Sequence, residues 1–62
     1  MAGFDAKYIR EHAQEYFPNK RIQNVFFVAE AYGARQIWVA QSNKKLLAIL
    51  IVSATGGLEV IV

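Results

Sequence analysis

The sequence predicts an α+β domain: one N-terminal amphipathic helix packed on a four-stranded antiparallel sheet with strand order 1-2-3-4. Three observations lead to this fold class. Helical periodicity is confined to the first third of the chain, and apolar runs rich in Val, Ile, Phe and Trp follow from Arg21 onward. The breaks between these runs are so short that each must be a hairpin turn. At 62 residues the chain is expected to form one domain over positions 1–62.

The helix is predicted from Asp5 to Phe17. Asp5 is a suitable N-cap, and Pro18 disfavours helical backbone at Phe17, so the helix should stop there. At 100° per residue the apolar positions share one side, with Tyr8 and His12 at its margin. The apolar side comprises Ala6, Ile9, Ala13, Tyr16 and Phe17, and the polar side comprises Lys7, Arg10, Glu11, Gln14 and Glu15.

Four strands are predicted, from Ile22 to Ala31, Arg35 to Gln41, Leu46 to Ala54 and Leu58 to Val62. A two-residue turn at Tyr32-Gly33 sets Glu30 opposite Arg35 and Phe27 opposite Trp38.

The breaks between the later strands predict the turns of the other two hairpins. A turn at Asn43-Lys44 sets Trp38 opposite Ile49 and Ile37 opposite Leu50. The last turn is expected at Thr55-Gly56 or Gly56-Gly57, and both choices give the same faces.

This register divides the sheet into two apolar faces, because the seven apolar residues from Leu46 to Val52 place side chains on both. The face expected under the helix carries Val25, Phe27, Ala29, Trp38, Ala40, Leu47, Ile49, Ile51, Leu58, Val60 and Val62. The second face carries nine apolar side chains, namely Ile22, Phe26, Val28, Ile37, Val39, Ala48, Leu50, Val52 and Ile61.

The second face has no helix to cover it, and its burial is worth on the order of 10 kcal/mol. A domain of this size is marginal alone. The sequence therefore favours a homodimer or a protein partner bound through this face or through the edge of the last strand. Curling of the sheet, which buries part of the face internally, is the alternative. The predicted interface residues are Phe26, Val28, Ile37, Val39, Leu50 and Val52.

Composition narrows the function classes. The chain has no Cys and one His, which rules out a disulfide framework and a Cys-based zinc site, and no cofactor is expected. Its N-terminus lacks a signal-peptide pattern, and no apolar run is long enough to span a bilayer. We expect a soluble protein away from membranes; the absence of Cys favours the cytoplasm but leaves the compartment open.

No motif predicts catalysis. Tyr8, His12 and Tyr16 share a helical stripe that suits proton handling, but a His hydrogen-bonded locally at the margin of the core is the favoured explanation. The acidic residues are scattered, and Gly56-Gly57 joins two strands without opening a phosphate-binding helix. The sequence therefore predicts a protein that is not an enzyme.

A basic cluster provides an alternative function. Lys20 and Arg21 precede the first strand, and Lys44 and Lys45 occupy the second turn, so the meander brings four of the seven cations to one end of the sheet. Such a cluster can contact nucleic-acid phosphates, with Phe26, Phe27 or Trp38 as stacking groups. It can also serve to keep an aggregation-prone strand soluble.

Three segments give the chain a resemblance to the PepSY domain family. They are Glu15-Tyr16-Phe17-Pro18 leading into Ile22 to Val28, then Gln36-Ile37-Trp38-Val39, and the strand, turn and strand from Leu50 through Ala54-Thr55-Gly56-Gly57 to Val60. The helix, proline-containing turn and antiparallel strands resemble that family in order. The resemblance implies a non-enzymatic regulatory or inhibitory module, often exported, that acts on a protein partner and carries no catalytic residues.

Overall fold

The computed structural model describes residues 5–62. These residues form helix α1 (Ala6–Gln14) and strands β1 (Asn24–Ala31), β2 (Arg35–Ser42), β3 (Lys45–Val52) and β4 (Leu58–Ile61). The strands make one antiparallel sheet in the order β1-β2-β3-β4. The predicted fold class and strand order are therefore confirmed, and strand ends differ from the prediction by one or two residues.

Helix α1 begins as predicted but ends early. The Tyr8 amide donates to Asp5 Oδ1 at 2.9 Å, so Asp5 is the N-cap. The chain leaves the α-helix after Gln14 and continues as a tighter turn, in which the Tyr16 and Phe17 amides donate to carbonyls three residues back. The predicted end at Phe17 was wrong because the last turn tightens before Pro18, a common ending for helices.

The β1-β2 hairpin keeps the predicted pairing of Phe27 with Trp38, but its turn is different. Arg35 pairs with Ala31 instead of Glu30, because the loop has three residues and its left-handed positions are Gly33 and Ala34. A two-residue turn would have required positive φ at a bulky tyrosine. A bulge then leaves Val28 without a partner and restores the predicted register in the rest of β1.

The β2-β3 hairpin has the predicted turn but not the predicted register. Asn43 and Lys44 both have positive φ, at 57° and 66°, as a type I′ turn requires. A bulge at Leu47 then shifts the pairing by one residue, so that Trp38 lies opposite Leu50 rather than Ile49. A shift of one residue exchanges the two faces of a strand, so our face assignment for most of β3 was wrong.

The last hairpin compensates for that shift. Its loop runs over five residues, Ser53 to Gly57, instead of two, and the Ser53 amide donates to the Gly57 carbonyl at 2.9 Å. Leu50 pairs with Val60 and Val52 with Leu58. The predicted two-residue turns were wrong, yet the β4 residues stay on the predicted face because two register changes cancel.

The core lies between α1 and one face of the sheet. The helix starts beside the β3-β4 loop, where the Tyr8 hydroxyl donates to the Gly56 carbonyl at 3.3 Å, and its backbone packs against both β1 and β4. Within residues 5–62, no helix has the length and apolar character needed to cross a bilayer. The buried side chains are Ile9, Ala13, Ile22, Val25, Trp38, Ala40, Ala48, Leu50 and Val52.

The backbone of Ala34 yields a stability prediction. Its φ of 59° is left-handed, where a Cβ atom is unfavourable. We expect Ala34→Gly to raise the free energy of unfolding by about 0.5–1 kcal/mol, because relief of strain exceeds the added chain entropy. Ala29→Gly, inside β1, should instead lower it by a similar amount. Urea denaturation of both variants tests this, and destabilisation by Ala34→Gly would contradict the observed loop.

Candidate functional sites

The sheet face away from the helix is apolar at its centre. Cross-strand pairing aligns Phe26, Val39, Ile49 and Ile61 in one row across all four strands. The adjacent row contains Ile37 and Ile51. We define the open face by six of its large apolar side chains, Phe26, Ile37, Val39, Ile49, Ile51 and Ile61.

The open face is accessible to a partner. Phe26 is 47% exposed and Ile61 44% exposed, and the other four side chains are half-buried by their neighbours. The alternative expectation was that the sheet curls and buries part of this face internally. The exposure of these side chains shows that it does not. Polar residues lie at its two ends, with Gln41 at one and Arg35 and Glu59 at the other. An apolar centre with a polar rim is the usual composition of a protein interface.

The structure places only some of the predicted interface residues on the open face. Phe26, Ile37 and Val39 lie on the open face, and Val28 is 54% exposed at the β1 bulge. Leu50 and Val52 do not belong to it.

The prediction that Leu50 and Val52 belong to the interface was wrong, because they lie under the helix with 0% and 1% exposure. Ile49 and Ile51 occupy the open face in their place. The sequence carries no signal for this exchange, since every residue from Leu46 to Val52 is apolar and either register satisfies the pattern.

The predicted basic cluster does assemble. Lys20, Arg21 and Lys45 line a cleft of about 530 Å³ at the end of the sheet where helix α1 finishes. Lys44 is at the tip of the β2-β3 turn, next to the cleft rather than in its wall. The described residues that line this basic cleft include no Asp or Glu. Its remaining walls carry neutral polar groups from Asn19, Gln23, Ser42 and Asn43 and the apolar side chains of Leu46 and Leu47.

The side chain of Gln14 holds the backbone that carries Lys20 and Arg21. Its Nε2 donates to the Phe17 carbonyl at 2.8 Å and to the Lys20 carbonyl at 2.6 Å. Its Oε1 accepts from the Ile22 amide at 2.8 Å. Three hydrogen bonds from one amide side chain fix the loop between the helix and β1.

Gln23 connects the two halves of the basic cluster. Its backbone amide donates to the Gln41 carbonyl at 2.9 Å, and its side-chain Oε1 accepts from the Asn43 amide at 3.0 Å. The turn that presents Lys44 and Lys45 is thereby tied to the start of β1. Sequence reasoning missed both glutamines, because their partners are set by the tertiary fold.

The predicted stripe of Tyr8, His12 and Tyr16 does not lie wholly on α1, because Tyr16 follows the end of the helix. The rings of Tyr8 and His12 are in contact, with centroids 3.9 Å apart and planes tilted by 32°. His12 Nδ1 donates to the Tyr8 carbonyl at 2.9 Å, because that oxygen can only accept. Tyr16 is 56% exposed. Among residues 5–62, no three His, Cys, Asp or Glu side chains are grouped so as to hold a metal ion.

Comparison with known proteins adds no assignment: no family model, curated protein or solved structure matches this chain.

The Gln14 contacts give a test of how the basic cleft is built. Gln14→Glu keeps the acceptor for the Ile22 amide but replaces the donor to two carbonyls with a negative oxygen. We expect the free energy of unfolding to fall by about 1–3 kcal/mol, the range for unsatisfied polar groups. Glu15→Gln, at the neighbouring exposed position, should change it by less than about 0.5 kcal/mol. Equal chemical-denaturation midpoints for the two variants would show that the Gln14 contacts are dispensable.

Proposed function

We propose that this chain is a non-catalytic interaction module that self-associates, with the open face packed against the open face of a second copy. The observation that carries the proposal is the row of Phe26, Val39, Ile49 and Ile61, which crosses the whole sheet without a polar residue. Exposed apolar patches of this kind are typical of interaction sites.

A domain of this small size would gain much stability from covering the open face. Full burial of a large apolar side chain contributes about 1.5–3 kcal/mol, and half of that for the six side chains of the open face comes to roughly 7 kcal/mol. The net stability of small proteins is about 5–15 kcal/mol. Covering the open face would therefore add a contribution comparable to the stability of the domain itself.

The dimensions of the face suit a small symmetric dimer. Four strands of up to eight residues, at about 4.8 Å spacing and about 3.3 Å rise, give a face of roughly 500 Å² in projection. Stable interfaces bury about 800 Å² of accessible surface per partner, and a corrugated sheet face exposes more than its projection. A face-to-face packing of two sheets is the arrangement found in β-sandwiches.

Charge favours one orientation of the second copy. Lys20, Arg21 and Lys45 lie at one end of the sheet. Glu30, Glu59 and Arg35 lie at the other, so the sheet residues at that end carry a net negative charge. A two-fold axis perpendicular to the strands places the basic end of each chain over the acidic end of the other. The competing axis, parallel to the strands, brings the two basic ends together and is disfavoured by repulsion.

The self-association proposal predicts a change of mass. We expect the parent chain to sediment at twice its monomer mass at micromolar concentration and its melting temperature to rise with concentration, because dimerisation stabilises the folded state by mass action. Val39→Glu, at the centre of the open face, should give a monomer with unchanged sheet content by circular dichroism. The interface would lose an apolar contact and gain a buried charge.

Ser42→Glu is the matched control, since it introduces the same side chain in the same strand on the opposite face and next to Lys45. It should leave the dimer intact. Val39→Thr keeps the β-branched shape and provides a second test if Val39→Glu does not fold. A folded parent that remains monomeric at 100 micromolar or so, with a melting temperature independent of concentration, would refute self-association. A partner of different sequence would then be the remaining candidate, as the resemblance to PepSY domains implies.

A further inference from the structure

We propose that the basic cleft binds the phosphate backbone of a nucleic-acid strand. This site belongs to one chain and lies at the end of the sheet, so the inference does not depend on self-association. Its residues come from two separate segments, Lys20 and Arg21 before β1 and Lys45 after the β2-β3 turn.

Within residues 5–62, no carboxylate pairs with the cations of the basic cleft. The described wall of the cleft contains three cations and no carboxylate, and Lys44 adds a fourth cation beside it. Grouping like charges is unfavourable for the folded chain unless an anion neutralises them. Binding of phosphates with release of their counterions is the usual way in which such a cluster gains affinity.

The cleft is organised before any ligand arrives. Gln14 fixes the loop carrying Lys20 and Arg21, and Gln23 fixes the turn carrying Lys45 through the Asn43 amide. The cationic side chains therefore extend from backbone that is already held in place. Such preorganisation lowers the entropy that must be lost when a ligand binds.

Lys44 occupies a backbone position that does not suit a lysine. Its φ of 66° is left-handed, and it is the second residue of a turn in which Asn-Gly is the preferred sequence. Lysine at this position lowers the stability of the fold, and glycine would raise it. A residue that is unfavourable for the fold but adds charge beside a basic cleft is consistent with a binding role.

The neutral groups of the cleft favour a nucleic acid over other polyanions. Amide side chains of Asn19, Gln23 and Asn43 and the hydroxyl of Ser42 can hydrogen-bond sugars and base edges as well as phosphates. Leu46, which is 63% exposed at the rim, offers an apolar surface for a base. The site is also concave, whereas binding to an anionic membrane requires a surface that can lie against the bilayer.

The experiment measures binding of fluorescein-labelled single-stranded RNA and DNA octamers by anisotropy, in salt from 20 to 200 mM or so. We expect the logarithm of the affinity to fall with the logarithm of the salt concentration with a slope of about −2 to −3. This is the value expected when three or four phosphates of a single strand are neutralised and their counterions released. Lys45→Glu should weaken binding at least tenfold at low salt and make the slope about 0.7–1 unit shallower.

Lys7→Glu is the matched control, because it makes the same change in net charge at an exposed helix position remote from the cleft. It should leave the affinity within about twofold. Lys44→Gly excludes misfolding as an explanation, since we expect it to raise the melting temperature while weakening binding about threefold.

Three results would overturn the inference. The first is that neither octamer binds at 20 mM salt or so. The second is that Lys7→Glu and Lys45→Glu weaken octamer binding equally. The third is that polyglutamate, or vesicles rich in phosphatidylglycerol, bind as tightly as the octamers. The first two would leave the self-association proposal untouched, because that proposal is read from sedimentation and depends on the open face.

Discussion

The bulge at Leu47 is the constraint on which the arrangement of this protein depends. By leaving one residue of β3 unpaired, it sets Ala48 opposite Ala40 and Leu50 opposite Trp38. The two alanines are almost fully buried in the same core cluster as Ala13 of the helix. Without the bulge, Leu47 would lie opposite Ala40, and Ile49 and Ile51 would take the places of Leu50 and Val52 beneath the helix. The bulge therefore determines both the core and the composition of the open face.

The topology was predictable from the sequence, and the register of β3 was not. Short breaks at Tyr32-Gly33-Ala34 and Asn43-Lys44 specify hairpins whatever their detailed geometry, which is why the strand order was confirmed. The faces of β1 and β2 around Phe27 and Trp38 also followed from the pairing rules. In β3 the pattern carries no information about faces, because consecutive apolar residues satisfy either register.

The basic cluster was also predictable from the sequence, whereas the side-chain contacts that hold it in place were not. The meander alone places Lys20 and Arg21 at the end of the sheet that holds Lys44 and Lys45, so the basic cluster could be anticipated without coordinates. The hydrogen bonds of Gln14 could not, because they depend on how tightly the chain turns between the helix and β1. Long polar side chains have many available partners, and only the tertiary fold selects among them.

The two proposed surfaces constrain each other geometrically. In a dimer whose two-fold axis runs perpendicular to the strands, the basic clefts lie at opposite ends. They are separated by approximately the length of an eight-residue strand, about 26 Å. A single short strand would then occupy one cleft, and both could be engaged only by a nucleic acid long enough to span the dimer. Two linked sites raise the affinity for a ligand only when the ligand can reach both of them. The affinity for a nucleic-acid strand should therefore increase sharply once the strand exceeds a threshold length. In the alternative dimer, with the axis parallel to the strands, the clefts are adjacent and no such threshold arises, so length dependence of binding reports the orientation of the two copies.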